Sequence, residues 1–517
     1  MNYRITINDM NYTSWSVEPL SLGLDTSFNP VVDISFNPIQ LKLFNNDTID
    51  EKYNIINSPI RNNNILGVLV LNNFQSYGKM YKVIPRDNKL PHFLVPYEIK
   101  KADMGFHKNI QNKYVVFKFM NWDGKHPVGQ LVETIGPIND LSTFYKYELY
   151  HKKLNISLTA FNKKVSKTII NFDDPEIIQK YNIENRQTYK VFSIDPEGCT
   201  DIDDAFSIIK KEENYLISIY ISNVPIILDY LNLWDSLTDR ISTIYLPDGK
   251  IPMLPNILSE NICSLKEKET RFAFCIDILV DNNCNIITTS FKNVSIKLKH
   301  NFAYDSPSLL SYNNYNVLYN LIKKKYTIND SHELVAQLMI LMNNKCAEYL
   351  QTNKIGIFRS TIPSKNKIPE FLISNNFIGR YTTDYNDTEH KCLNLDTYTH
   401  ITSPIRRIVD ILNMTKIMNL TSADEFYNKW IDKIDYINET NKNIKKLQSM
   451  CELLHLFTTN PSILDKVYEA YYVDEETMYI PELKVFNKIN NKDLELYNKY
   501  DVKLYLFDNY KIKINLL

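Results

Sequence analysis

The stretch DPEGCTDIDDA, Asp195 to Ala205, puts five acids within ten residues, with no lysine or arginine among them. Crowded carboxylates repel one another, which raises some of their pKa values and costs stability unless a cation sits among them. An oxygen-rich cluster of this kind suits a hard divalent ion, Mg²⁺ or Mn²⁺. Pro196 and Gly198 break regular structure, so Asp195 and Asp201 can turn inward from either end of a loop. In extended chain, Asp201 and Asp203 point the same way, which leaves Asp204 to face another ion or a water. A calcium loop of the EF-hand kind starting at Asp195 would need Gly sixth and Glu twelfth; Thr200 and Phe206 stand there instead. On composition alone, an acidic loop that merely faces water fits equally well.

Two further stretches bear on that choice. STIYLPDGKIPMLPNILSENICSL, residues 242–265, is dense in proline and apolar residues and reads as a segment folded back on a core. YTHITSPIRRIVD, residues 398–410, reads as a helix start, with Ser403 or Thr402 as cap, Pro404 at its first turn and Arg406 and Arg407 in the first turns. Such a start can hold a phosphate. A carboxylate loop for metal and an arginine-bearing helix start are together the parts of phosphoryl transfer, and point to phosphodiester chemistry.

The elements that must position these groups are legible in outline. YLISIYIS, 215–222, alternates as a strand, whereas HELVAQLMILMNNKCAEYL, 332–350, has helical spacing, as has 405–418. The stretch of about 170–420 reads as one large α/β domain. Before it, ILGVLVL, KMYKVI, HFLVPYEI and KYVVFKFMNW read as strands of a small β-barrel or sandwich over about 60–140. Residues 1–58 are poorly patterned, a small β-domain or a partly ordered arm. In the tail, VKLYLF and YKIKIN alternate, with Asp508-Asn509 as the turn of a hairpin.

The chain has 517 residues, enough for about three or four domains. Its net charge of −1 excludes a globally basic polyanion binder, so any nucleic-acid surface must be local. The seven cysteines fall singly with no CxxC pair, which argues against a zinc site and for a reducing compartment. No signal peptide and no run of 18 apolar residues is present, so neither secretion nor a transmembrane helix is expected. Heavy use of Asn, Ile, Lys and Tyr reads as an A/T-rich coding sequence, as in some large viruses or parasites.

SIDPEGCTDIDDAFSI resembles the signature of the RNase II / RNase R family, the RNB-domain exoribonucleases. IYLPDGKIPMLPNILSENICSL and YTHITSPIRRIVD resemble the family's second and third motifs, in the same order. VIPRDNKLPHFLVP and WDGKHPVGQLVETIGPIND resemble the second cold-shock-type domain of the branch that includes the exosome's catalytic subunit, here without its endonuclease PIN domain. The resemblance implies a multidomain α+β chain: a shortened first cold-shock-type domain at 1–58, a cold-shock OB domain at 59–165, a mixed α/β RNB domain at 166–455 and an S1-like OB barrel at 456–517. It implies 3′-to-5′ hydrolysis of single-stranded RNA to 5′-mononucleotides with Mg²⁺; the single thiols put the expected location in the cytoplasm, and a monomer is expected.

By motif match, Asp195, Asp201, Asp203 and Asp204 are the family's four catalytic and metal-site aspartates, with Asp203 the most rate-sensitive and Asp201 in support. Arg406 matches the arginine on the scissile phosphate, and Tyr245 an aromatic that stacks on terminal bases. Arg240, Arg407 and Ser403 are expected on the RNA path. The sequence departs from the family pattern at Asn223, Ala336, Gln337, Thr361, Ile408 and Met414. A degenerate RNB fold that binds RNA without cutting it therefore stands as the alternative.

Overall fold

A computed structural model describes residues 2–20, 36–72, 79–99, 110–363, 377–474, 476–489, 494–507 and 510–517. The chain divides into two compact units. One comprises residues 1–155 with 453–466 and 504–513; the other comprises 156–452 with 467–503 and 514–517.

In the first unit, Asn64–Leu69, Met80–Pro85, Phe93–Pro96, Val128–Pro137 and Lys113–Asn121 close a barrel in that order. Asn64–Leu69 buries every second residue, as a strand with one face on a core must. Gly67 permits the tight approach of the neighbouring strand, since a Cβ there would lie 2.7 Å from the Ile84 carbonyl oxygen. Val128–Pro137 was not evident from sequence because only Gly129 along it is buried and no alternation shows. Asn2–Ile7, Trp15–Leu20, Thr48–Ile49 and Ile55–Asn57 form a separate four-stranded sheet. Its Ile5, Ile7 and Ile49 share one hydrophobic cluster with barrel residues Val83, Phe93 and Phe117, so the poorly patterned N-terminal stretch is a β-element sharing the barrel's core.

The second unit is built on a seven-stranded mixed sheet. Its spatial order is Glu184–Asn185, Ile286–Lys297, Thr270–Val280, Asn214–Ser222, Asp204–Lys211, Phe192–Asp195 and His300–Ala303. The central strand Asn214–Ser222 is buried without a break from Leu216 to Ser222, polar serines included, as expected where both faces are covered. The helix Ser331–Thr352 buries Leu334, Leu338, Met342, Cys346 and Leu350 against one face, together with Ile217, Ile219 and Phe274 of the sheet. Asp330 caps it by accepting from the Glu333 amide at 2.8 Å. In the tail, Val467–Asp474 pairs antiparallel with both Thr477–Ile480 and Lys499–Leu506, and Ile512–Leu516 is a further strand. The expected turn at Asp508-Asn509 lies outside the described residues.

Candidate active site

The acidic stretch joins two neighbouring strands. Phe192–Asp195 ends at Asp195, and Asp204 begins Asp204–Lys211. Between them the chain makes a tight turn: the Cys199 amide donates to the Pro196 carbonyl at 3.1 Å, and Gly198 takes φ +76° at the turn's third position. The remainder of the loop is clamped. Ser264 donates its hydroxyl to the Thr200 carbonyl at 2.8 Å and accepts from the Ile202 amide at 3.1 Å. Ile202, 5% exposed, anchors one side of the chain, so its neighbours Asp201 and Asp203 face the other.

Those neighbours are already engaged. Asp203 is 5% exposed; its Oδ1 accepts from the Ile405 amide at 3.0 Å and its Oδ2 from Arg406 Nε at 3.3 Å. Asp201 Oδ1 pairs with Lys250 Nζ at 2.6 Å, and the same ammonium reaches Glu260 at 3.0 Å. Asp195 Oδ2 and Asp204 Oδ2 are buried and make no hydrogen bond. Burial, with the charge of Asp201, pushes Asp195 up to about 6. Burial, with the charges of Asp195 and Asp203, holds Asp204 well above its ordinary value. Burial takes Asp203 to about 7, against the pull of Arg406.

The four aspartates expected at one metal site thus have different surroundings. Among the described residues, no three His, Cys, Asp or Glu side chains converge to hold a metal ion. Lysine and arginine draw Asp201 and Asp203 aside. Asp195 and Asp204, two desolvated carboxylates each with an unused buried oxygen, could hold a divalent cation.

Arg406 precedes the helix instead of lying in its first turn. The helix runs Ile408–Ile417, because the Arg406 and Arg407 amides fold back onto the Ser403 carbonyl at 3.2 and 2.9 Å. Asp410, fully buried, accepts from the Ser403 amide at 2.7 Å and from Arg407 Nη2 at 2.8 Å. Ser403 is thus 3% exposed, its amide and carbonyl both engaged. The Arg240 guanidinium donates to the backbone carbonyls of Ile156 and Pro252. Tyr245 sits on the short strand Ile244–Leu246, 40% exposed. Burial raises its hydroxyl to about 12, the charges of Arg406, Asp201 and Asp203 acting on it in turn, which sets it beside the acidic loop.

Sequence reasoning missed Lys250, Glu260 and Tyr304. Parallel pairing of Asp195 with Ala303 brings Tyr304 alongside, and its amide donates to the Asp195 carbonyl at 3.1 Å. Its ring stacks on His332 at 3.7 Å between centroids. Among the departures from the family pattern, Ile408 and Met414 are fully buried, Thr361 accepts from the Lys391 amide at 2.9 Å, and Asn223 bonds Asn293 at 2.9 Å.

Residues 183–316 match the RNB domain family, and residues 80–146 the Dis3-like cold-shock domain 2 (CSD2) family. The human exosome complex exonuclease RRP44 is 25% identical over 237 residues, 44% of this chain and 23% of the relative. Ribonuclease R of Mycoplasmopsis pulmonis is 34% identical over 182 residues, 33% of this chain and 25% of the relative. The chain thus spans about a quarter of the length of these relatives. Among solved structures, Mycoplasma genitalium RNase R in complex with ribose-methylated single-stranded RNA superposes with a TM-score of 0.67 at 16% identity, covering 92% of this chain and 95% of that one. Yeast Ssd1, described as a pseudonuclease, gives 0.59 at 15% identity, covering 89% and 68%. The chain carries an RNB domain with an OB-type cold-shock domain, in the fold of RNase R. Among the described residues, no helix is long and apolar enough to cross a membrane.

Proposed function

We propose that the protein hydrolyses single-stranded RNA from its 3′ end to 5′-mononucleotides, with Mg²⁺ held by Asp195 and Asp204. The observation that carries this reading is the pair of buried carboxylate oxygens left without partners at the rim of a clamped loop. A bound divalent ion would supply an activated water and neutralise charge on the leaving oxygen. Arg406, whose side chain is 43% exposed, offers its guanidinium to the scissile phosphate while its Nε stays on Asp203. Asp203 thereby orients the arginine through a charge-assisted bond. Tyr245 presents a ring on which a terminal base can stack, worth about 1–3 kcal/mol per base and indifferent to sequence. An intracellular, reducing setting accords with all seven cysteines being free thiols, five of them buried.

A second reading is an RNA-binding protein without cleavage. It is favoured by the diversion of Asp201 and Asp203 to cations, and by the likeness to a pseudonuclease. One experiment separates the two. With 3′-labelled single-stranded RNA and Mg²⁺, the nuclease releases labelled mononucleotide from the first turnover. Binding without release would establish the second reading, and mid-chain fragments would remove the exonuclease assignment.

A further inference from the structure

Hydrolysis by two metal ions needs both within about 3.5–4 Å of each other, so the two must share one cluster of ligands. The acidic loop offers four aspartates, but fixed cations already meet two of them. Phe192 pairs with Phe206, so the strand ends carrying Asp195 and Asp204 lie at the same end of the sheet. Their unused buried oxygens are a place for one ion. Asp203 is held by Arg406. Only Asp201 remains to offer a second ion an oxygen, and its Oδ1 is taken.

Lys250 takes it. A lysine ammonium has three N–H donors, and three oxygens surround this one: Asp201 Oδ1 at 2.6 Å, Thr200 Oγ1 at 2.9 Å and Glu260 Oε1 at 3.0 Å. No donor is left over for an RNA phosphate. The lysine stands on the short hairpin of Ile244–Leu246 and Gly249–Ile251, opposite Tyr245 in the register. Glu260 comes from the helical turn Leu258–Ile262. Three segments of the chain thus meet at one ammonium, whose side chain is 25% exposed. Oxygens gathered around a point charge are also what a hard divalent ion takes, at about 2.0–2.1 Å for Mg²⁺. The ammonium and such an ion exclude each other there, by space and by like charge. Charge balance agrees. With the four aspartates ionised, Lys250 and Arg406 offset two negative charges, and one divalent ion offsets the other two.

We propose that Lys250 stands in for a second divalent ion on Asp201, so that the acidic loop takes one ion, on Asp195 and Asp204, where a two-metal site takes two. Lys250 is a positioning residue: it acts through Asp201 and does not touch the RNA. The proposal rests on the nuclease reading and deepens it, by fixing how many ions the reaction uses.

Counting bound Mn²⁺ tests it without RNA. The metal-free full chain is titrated with Mn²⁺, and the free ion is read by electron paramagnetic resonance. Wild type is expected to bind one ion, and Asp204→Asn none. Lys250→Ala empties the ammonium's place, keeps the oxygens around it, and is expected to bind two. Lys250→Arg keeps the charge and stays at one. Lys250→Ala/Asp201→Asn returns to one, because the second ion's carboxylate is gone. Cleavage of labelled single-stranded RNA should follow the count, its Mg²⁺ dependence showing a Hill coefficient near one in wild type and approaching two in Lys250→Ala. Two ions on wild type, or one on Lys250→Ala as for a merely structural salt bridge, would overturn the proposal and leave the nuclease reading intact. Wild type that binds no Mn²⁺ would overturn both. Should Lys250→Ala fail to fold, the wild-type count and Hill coefficient decide alone.

Discussion

Lys250 Nζ lies 2.6 Å from Asp201 Oδ1, and this ammonium takes one of the four aspartates of the acidic loop out of the carboxylate cluster. The lysine also reaches Glu260 at 3.0 Å and the Thr200 hydroxyl at 2.9 Å. Partial burial would lower its pKa, but the bonds to Asp201 and Glu260 outweigh that and raise it. The loop is thereby held by a cation on one flank and by Ser264 on the other.

Lys250→Met leaves two carboxylates facing each other without a cation. Its side chain is 25% exposed and that of Asp201 12%, so the loss is expected to cost about 1–2 kcal/mol of stability at pH 7.5, read by urea denaturation. RNA hydrolysis should fall about tenfold as the loop loses its alignment. Lys250→Arg should recover most of both. Unchanged hydrolysis in Lys250→Met would mean that the ion pair has no bearing on the reaction.

Asp203→Asn keeps an acceptor for the Ile405 amide but puts an amide group towards Arg406. The arginine then loses the charge that orients it. Turnover of labelled RNA should drop by at least about 10²–10³. Affinity for RNA in EDTA should hold or tighten, because a negative charge beside a polyanion is removed. Lost binding in this variant would contradict the placing of Asp203 behind Arg406.

The acids, the two prolines-and-glycine segments and the arginine pair stand out in sequence because each lies within one short stretch. What the sequence does not print is how the aspartates divide. Lys250 lies 49 residues from Asp201 along the chain and Arg406 lies 203 from Asp203, and only the folded sheet brings them together. Tyr304 arrives by a parallel pairing between strands over a hundred residues apart, which no local pattern encodes. The helix after the arginines starts later than its proline suggests, because Asp410 from the helix's first turn captures the Ser403 amide and forces a turn ahead of it. The barrel was readable where strands alternate, and Val128–Pro137 was not, since it has almost no buried face.

Asp204 gives a test of metal and pH together. In metal-free protein its folded pKa stands well above 3.8, through burial and the charges of Asp195 and Asp203. Above about pH 4 the unfolded chain gives up that proton while the folded chain keeps it. The folded state thus binds more protons, and the stability present at low pH is lost as pH rises through the folded pKa. Asp204→Asn has no such loss. In EDTA it should match wild type below about pH 4 and exceed it by about 1–3 kcal/mol at pH 8, read by thermal melts. Millimolar Mg²⁺ should raise the wild-type melting temperature by mass action and leave that of Asp204→Asn almost unmoved. Equal Mg²⁺ stabilisation of both would place the ion elsewhere.

Arg406 should separate chemistry from grip. Its Nε is committed to Asp203, and its side chain is 43% exposed, so its terminal nitrogens can face a phosphate. Lysine at this position keeps a charge but loses the planar fork that meets two phosphate oxygens while holding Asp203. Arg406→Lys should therefore lower the rate constant for release of the 3′-terminal nucleotide by about 10²–10³, the value of one preorganised donor aimed at developing charge. Binding of single-stranded RNA in EDTA should weaken by no more than about fivefold, since one phosphate contact among several is altered. Single-turnover cleavage at saturating protein, set against anisotropy measured on the same oligonucleotide, reads the two separately. If the rate holds and only the affinity falls, Arg406 is part of the RNA path and another cation meets the scissile phosphate.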